Sequence, residues 1–371
     1  MIERALLRFV EFSTGKSFYS RLAQISGLSE RGLRKGWPKG LRRSSEARIQ
    51  QAGRELLSGL LRKQEFGEEY IQRWLDNHPK TIAAALVYEA ELPGEVEYPQ
   101  TRALAQAMDA LGRELYAARL EGNLERAKGV LLETEWLDAR YYQADEVERN
   151  SDHVPALMAQ ARAASEWSEL QKPADAVAAN LLFAWLAQWD VELYKRFFLR
   201  LEHRSIFSLL LPTCNLERAR AQPRSRGNMR FPITRLIDLV YAMGAFHQGQ
   251  VWPKARPTLR DLVRATAQPE ANLVNWRDGT KRMRFADFER IWESCFPKGE
   301  AERMPPIVPH YIAAALFQVL FVKVDTNSRH KEILLHDDHY LFWWNEQWKQ
   351  NQQADKIPTG LIPWPAWLDA V

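Results

Sequence analysis

Cysteine is nearly absent. Two thiols, Cys214 and Cys295, in 371 residues are too few for a disulfide framework or a cysteine-based zinc site, so each is expected to be a free, packed side chain. Long hydrophobic runs are missing too: nothing approaches the roughly 18 consecutive apolar residues that a bilayer span requires. The first residues carry Glu3, Arg4, Arg8 and Glu11 where a secretory signal would place an apolar stretch. These features predict a cytoplasmic protein with no membrane partner. An excess of one charge is lacking as well. With Lys plus Arg at 51 and Asp plus Glu at 47, the formal net charge is +4, which by itself selects no partner. No glycine-rich phosphate loop, nucleophile elbow or cysteine–histidine motif occurs, so no cofactor is expected and an enzyme is not the first expectation. The one compact set of polar functional groups is HKEILLHDDHY, residues 330–340. On a helix His336 and His339 would share a face, a spacing metal ligands use, with a third ligand drawn from His330 or Glu332. Asp337 or Asp338 serves equally as the cap of a following helix.

What is present is ordinary globular composition, 46% hydrophobic and 26% charged, in a chain long enough for two or three domains with sizeable cores. The positive charge is unevenly placed. Residues 31–54 carry Arg31, Arg34, Lys35, Lys39, Arg42, Arg43, Arg48 and Arg54 against Glu46 alone, and residues 218–235 carry Arg218, Arg220, Arg224, Arg226, Arg230 and Arg235 with no acid. Nucleic acid is met by local patches of this kind, because phosphate contacts dominate affinity. Solvated helix faces carry such runs as well.

Helical periodicity runs through most of the chain. Leu104, Met108, Leu111 and Leu115, then Val130 and Leu131, then Leu181, Leu182, Trp185, Leu186 and Trp189, then Leu236, Ile237, Leu239, Val240 and Met243 recur at i, i+3 and i+4. Residues 114–127, a helix pair, have the turn chemistry of a helical repeat unit, but no period of about 34 residues follows, so no repeat array is expected. Pro212–Pro232, rich in Arg, Pro, Ser and Gly, reads as a linker or exposed loop. Residues 312–324 suit a buried helix, although 319–322 would also suit a strand. A tail with Trp343, Trp344 and Trp348, then three prolines and two tryptophans in 357–368, is expected to wrap a core, or else to dock on a protein partner or a second copy. The expected fold is mainly α and multi-helical, two helix-turn-helix units flanking a helical scaffold, with minor β structure possible near 319–342. The corresponding divisions are 1–62, 63–211, a basic linker 212–232, and 233–371.

One stretch carries a recognisable logic. From Thr258 to Trp292, Leu259, Leu262 and Val263 line one face of a first helix, and Ala267 is small where two helix axes approach. Pro269 suits the first position of a second helix, because its missing N–H is one that a helix start leaves unpaired. Leu273 and Trp276 would turn that helix inward, leaving Glu270, Ala271, Asn272 and Asn275 outside, and Gly279 would end it. Ala286, Phe288 and Ile291 begin a third apolar period. This run resembles the repressor/Cro-like helix-turn-helix domains, departing from them at Gln268, where an aliphatic is usual, and at Pro269, where Ser or Thr is usual. Residues 17–45 resemble the family more weakly. There Leu22, Ala23, Gly27, Leu28, Ser29 and Leu33 repeat the spacing, and Ser29 suits an N-cap, while Gly32, Gly36 and Trp37 fit less well.

The resemblance implies double-stranded DNA as partner, with the second helix in the major groove. Glu270, Ala271, Asn272 and Asn275 would then approach base edges, and Arg277, Lys281, Arg282 and Arg284 phosphates. Arg31, Arg34, Lys35, Lys39, Arg42 and Arg43 are the equivalents in the first unit. The function expected is sequence-dependent DNA binding, in a bacterial transcriptional regulator or in a component of a mobile-element, plasmid or defence system. Two further readings stand beside it: a helical scaffold subunit of a larger assembly, and a metal-dependent hydrolase built on His336 and His339.

Overall fold

In the computed structural model the described residues are 18–36, 44–45, 47–49, 51–52, 55, 98–134, 154–198, 200–202, 204–214, 229–249, 251–277, 281, 283–296, 307–320, 322–324, 331–333, 338–351 and 361–368. Helix accounts for 76% of them, so the fold is mainly α. Two compact units divide the chain: Met1–Tyr88 with Ala105–Ala179, and Glu89–Leu104 with Asn180–Val371.

The first unit contains α1 (Phe18–Ser26), α2 (Glu30–Gly36), residues 105–120 of α3 (Pro99–Leu120), α4 (Leu124–Leu132), α5 (Val154–Ala163) and residues 171–179 of α6 (Gln171–Phe197). The reversal between α3 and α4 has a local cause. Gly122 takes a left-handed φ of 67°, which an L side chain rarely adopts, and Asn123 caps α4 by accepting from the Arg126 N–H at 3.0 Å. Arg126 also reaches Glu114 at 2.6 Å and Glu121 at 2.8 Å, so the two helices expected over 114–127 do meet at this turn. Helix α4 then packs on α5, with Ala127, Leu131, Leu157 and Ala161 buried.

The second unit is built round an apolar helix. Every residue from 180 to 191 of α6 is buried, including Trp185 and Trp189, as expected of a helix that is apolar on all sides. Tyr98 meets the Trp189 ring edge-on, and the Glu192 carboxylate accepts the backbone N–H of Gln100 (3.2 Å) and Thr101 (3.3 Å) at the start of α3. Next come a 3-10 turn (Phe207–Leu210), β1 (Thr213–Cys214), β2 (Met229–Arg230), α7 (Pro232–Gly249), α8 (Leu259–Thr266), α9 (Glu270–Arg277), α10 (Phe285–Cys295), α11 (Ile307–Leu320), β3 (Val322–Val324), β4 (Lys331–Ile333), α12 (Asp338–Asn351) and a last 3-10 turn (Ala366–Leu368). Helix α7 is the hub, packing against α11, the Phe207–Leu210 turn, α9 and α10. Its crossing with α10 is close: a Cβ on Gly244 would lie 2.8 Å from the Cys295 carbonyl oxygen.

A buried carboxylate fixes the floor under α7. Asp190 of α6 accepts from the Ser205 hydroxyl, from the Ile206 (3.0 Å) and Phe207 (3.2 Å) N–H groups, and from the Tyr340 hydroxyl of α12 (2.8 Å). Four donors hold the 3-10 turn and α12 to one point of α6. Burial pushes the Asp190 carboxyl up to about 7 against the pull of those donors.

Several expectations are revised here. The ends of the stretch read as a linker or exposed loop are paired, β1 with β2 antiparallel, Thr213 with Arg230 and Cys214 with Met229. Pro212, Phe231 and Pro232 are buried there, and residues 215–228 lie outside the described residues. Arg235, counted in the second basic run, is buried on α7 and donates to the Leu209 carbonyl. Residues 312–324 supply both alternatives in succession, the end of α11 and then β3, which pairs antiparallel with β4. Trp343, Trp344, Trp348 and Trp364 are buried, and Ile362 bridges Leu201, so the described part of the tail packs on its own core. Cys295 is free and buried, its thiol pushed up to about 12 by burial. Among the described residues no helix is long and apolar enough to cross a membrane.

Candidate nucleic-acid interface

Local chemistry sets each helix of the 258–296 stretch. Thr258 caps α8 reciprocally: its hydroxyl accepts from the Asp261 N–H at 3.2 Å while the Asp261 carboxylate takes the Thr258 N–H at 2.9 Å. The Thr258 hydroxyl also donates to the Asp261 carboxylate at 2.6 Å, and that bond first, then the one from the Thr258 N–H, holds the Asp261 carboxyl below its ordinary range. Helix α8 stops at Ala267, which sits in the left-handed region at φ 52°, ψ 24°. The next helix begins at Glu270, with the Pro269 carbonyl accepting from the Asn272 (3.0 Å) and Leu273 (3.3 Å) N–H groups. Pro269 therefore stands one place before the helix, where its ring constrains the entry and its carbonyl closes the first turn.

Helix α9 is divided as its spacing predicts. Leu273 and Trp276 are buried at 0% and 4% exposure, whereas Glu270 and Ala271 are exposed. Asn272 and Asn275 are half-buried, less open than expected. The inner side rests on α8 and α7, and the Arg277 carbonyl at its end accepts the Thr234 hydroxyl of α7 at 3.1 Å. Gln268 is buried, so the polar side chain that departs from the family pattern still occupies an inward position. On α10 the buried stripe is Phe288, Ile291, Trp292 and Cys295. Ala286 is exposed, because it lies two residues before Phe288 and falls outside that i, i+3, i+4, i+7 stripe.

The flanking cations differ in how far they are engaged. Lys281 is exposed. Arg284 is exposed too, but its guanidinium bonds Asp287 at 2.8 Å, with Arg290 on the other carboxylate oxygen at 3.1 Å. The bond from Arg284 holds Asp287 below its ordinary range, against burial, and raises Arg284 in turn. Arg277 is half-buried, and Arg282 and Gly279 lie outside the described residues. Arg260 and Arg264 are exposed on α8 and extend the cationic rim, although neither stands in a basic run.

In the first unit, Gly27 takes a left-handed φ of 66° between α1 and α2, and the Ser29 hydroxyl accepts from the Gly32 N–H at 3.1 Å as an N-cap. A Cβ on Gly32 would lie 2.8 Å from that hydroxyl, which accounts for glycine in so short a helix. Leu33 is buried while Arg31, Arg34 and Lys35 are exposed. Arg34 pairs with Glu30 at 2.7 Å and lies over the Tyr19 ring. Lys39, Arg42 and Arg43 are outside the described residues, as are Arg218, Arg220, Arg224 and Arg226.

Arg230, also assigned to the basic linker, is described and lies elsewhere in character. It is half-buried, in a group with Arg256, Arg277 and the buried Asp238 of α7. Arg256 donates to Asp238 at 2.7 Å. Sequence reading passed over Arg256 and Asp238; the available signal was an acid inside the apolar run Leu236-Ile237-Asp238-Leu239-Val240, since such an acid needs a cation. For the metal reading, His336 and the side chain of His339 lie outside the described residues. Among the described residues no three His, Cys, Asp or Glu side chains are grouped to hold a metal ion.

No family model, curated protein or solved structure matches this chain.

Proposed function

We propose that this protein binds duplex DNA, with α9 entering the major groove and the cations around it meeting phosphates. The observation that carries the reading is the division of α9. Its apolar side is fixed to α8 and α7 by Leu273 and Trp276, and Glu270 and Ala271 face away with Arg260, Arg264, Lys281 and Arg284 exposed on the same tri-helical segment. In this reading α2, with Arg31, Arg34 and Lys35, is a second, weaker contact. Control of transcription, or a DNA-binding role in a mobile-element, plasmid or defence system, is the use proposed.

Fluorescence anisotropy of a labelled duplex tests it. Affinity should fall log-linearly with salt, and Lys281→Ala or Arg282→Ala should weaken binding about equally across sequences and reduce the salt slope by about 1. Absence of binding at low salt, or indifference to salt, refutes the reading. A scaffold role is favoured by one specific observation, that the Arg284 guanidinium is already paired with Asp287. Light scattering on the purified chain separates the two, since the scaffold reading requires an obligate complex.

A further inference from the structure

Two guanidiniums meet at one oxygen atom at the start of α10. Arg284, at the N-cap of that helix, donates from Nε to Oδ2 of Asp287 at 2.8 Å and from Nη2 to Oδ1 at 3.1 Å. Arg290 donates from Nη2 to the same Oδ1 at 3.1 Å, and from Nε to the Ala286 carbonyl at 3.2 Å. The carboxylate is nearly covered, its side chain 10% exposed, while both arginine side chains are 60% exposed. Two cations are thus held on a shared counter-ion and stay open to solvent.

The donors left over are well defined. Each guanidinium has Nε and Nη2 engaged, and the Nη1 of each donates to no acceptor among the described residues. Glu289 and Glu293, the other acids of α10, are exposed and among the described residues bond neither arginine. Charge leads to the same place. Two guanidiniums and one carboxylate leave one positive charge over, which a single phosphodiester balances. Guanidinium forks match phosphate oxygens in geometry, and an arginine already fixed by a carboxylate has less rotamer freedom left to lose on meeting a ligand. Exposed ion pairs contribute little to stability, so a second arginine on Asp287 adds little to the fold.

We propose that Arg284 and Arg290 act together as a clamp on one phosphate group, their Nη1 groups donating to its two free oxygens while Asp287 holds both guanidiniums in place. Helix α10 follows α9 in the chain and packs on α8, so the occupant is a phosphodiester of the DNA backbone. This source rests on the DNA-binding reading. Asp287 is a positioning residue, and its bond to Arg284 is what aims the clamp.

Anisotropy of a labelled duplex over a salt series tests the clamp, on the full chain and on its Arg284→Gln, Arg290→Gln and double variants. One shared phosphate requires the salt slope of the double variant to fall by about 1. A fall of about 2 means two separate phosphate contacts and overturns the sharing. An unchanged slope, with duplex still bound, overturns the clamp and leaves the DNA-binding reading standing. No duplex binding by the parent chain overturns both. Should the double variant unfold, Arg290→Gln alone decides, since it leaves the Arg284–Asp287 pair intact: a slope below the parent's supports the clamp and an equal slope overturns it. Asp287→Asn separates aiming from charge. It should lower duplex affinity although it removes a negative charge, and a rise in affinity overturns the positioning role.

Discussion

Replacing Asp190 by Asn should remove a pH dependence of stability that this one carboxyl creates. Asp190 is wholly buried, and its carboxyl rises from an ordinary 3.8 to about 7, burial outweighing the donors from Ser205, Tyr340, Phe207 and Ile206. Between those values the folded protein holds a proton that the unfolded chain has released. The contribution is therefore fully present below about pH 4 and is lost as pH rises through about 7. At about 1.4 kcal/mol per pH unit, the loss between about pH 5 and about pH 7 is about 3 kcal/mol. Either protonation state can be accommodated, because the Ser205 and Tyr340 hydroxyls can donate to the carboxylate or rotate to accept from the acid. Asparagine does not titrate, and its amide N–H2 cannot accept the Phe207 N–H that now meets Oδ2, so Asp190→Asn should carry a pH-independent cost of about 1 to 3 kcal/mol. Urea unfolding followed by tryptophan fluorescence, from about pH 5 to about pH 8, measures both. The difference between parent and variant should shrink as pH rises. A difference constant over that range means Asp190 stays ionised throughout, held so by its four donors, and the reasoning fails.

Two further changes probe the candidate site and its support. Ala267→Gly should stabilise the segment by about 0.5 to 1 kcal/mol, since alanine at φ 52° bears a left-handed strain that glycine does not; slower hydrogen exchange across α8 and α9 would show it, and faster exchange would contradict that turn. Gly244→Ala should cost about 1 to 3 kcal/mol, because its Cβ would meet the Cys295 carbonyl oxygen at 2.8 Å and backbone cannot give way as a side chain can. Gly112→Ala, at a helical glycine with nothing within 4 Å of the added Cβ, should instead gain about 1 kcal/mol; thermal unfolding of both variants checks the opposite signs.

What was legible in the sequence is what neighbours along the chain decide. The Ser29 cap and the inward Leu273 and Trp276 each depend on residues within about one turn of helix. The turn at Gly122 and Asn123 is as local. Buried charge was not legible. Asp190 answers to Ser205 and Tyr340, Asp238 to Arg256, and Arg235 to the Leu209 carbonyl, and no periodicity carries those pairings. The same limit applies to the units themselves: residues 89–104 join 180–371 through contacts such as Tyr98 on Trp189 and Thr101 on Glu192, which a reading in chain order has no means to anticipate. Arg235 shows the cost of counting charges by stretch, since a guanidinium bonded to a buried carbonyl adds nothing to a surface potential.

The buried polar groups also bear on how the candidate interface is held. Asp190 fixes residues 205–207 to α6, and the turn that follows packs under α7, where Arg235 ties Leu209 from above. Helix α7 in turn holds α9 through Thr234 and α10 through the close approach at Gly244. If α9 is the helix that meets DNA, its orientation depends on this chain of contacts as much as on Leu273 and Trp276. A substitution at Asp190 should then weaken duplex binding only to the extent that it unfolds the protein, leaving the salt slope unchanged. Substitutions at Lys281 and Arg282 should change the slope while the unfolding midpoint stays where it was.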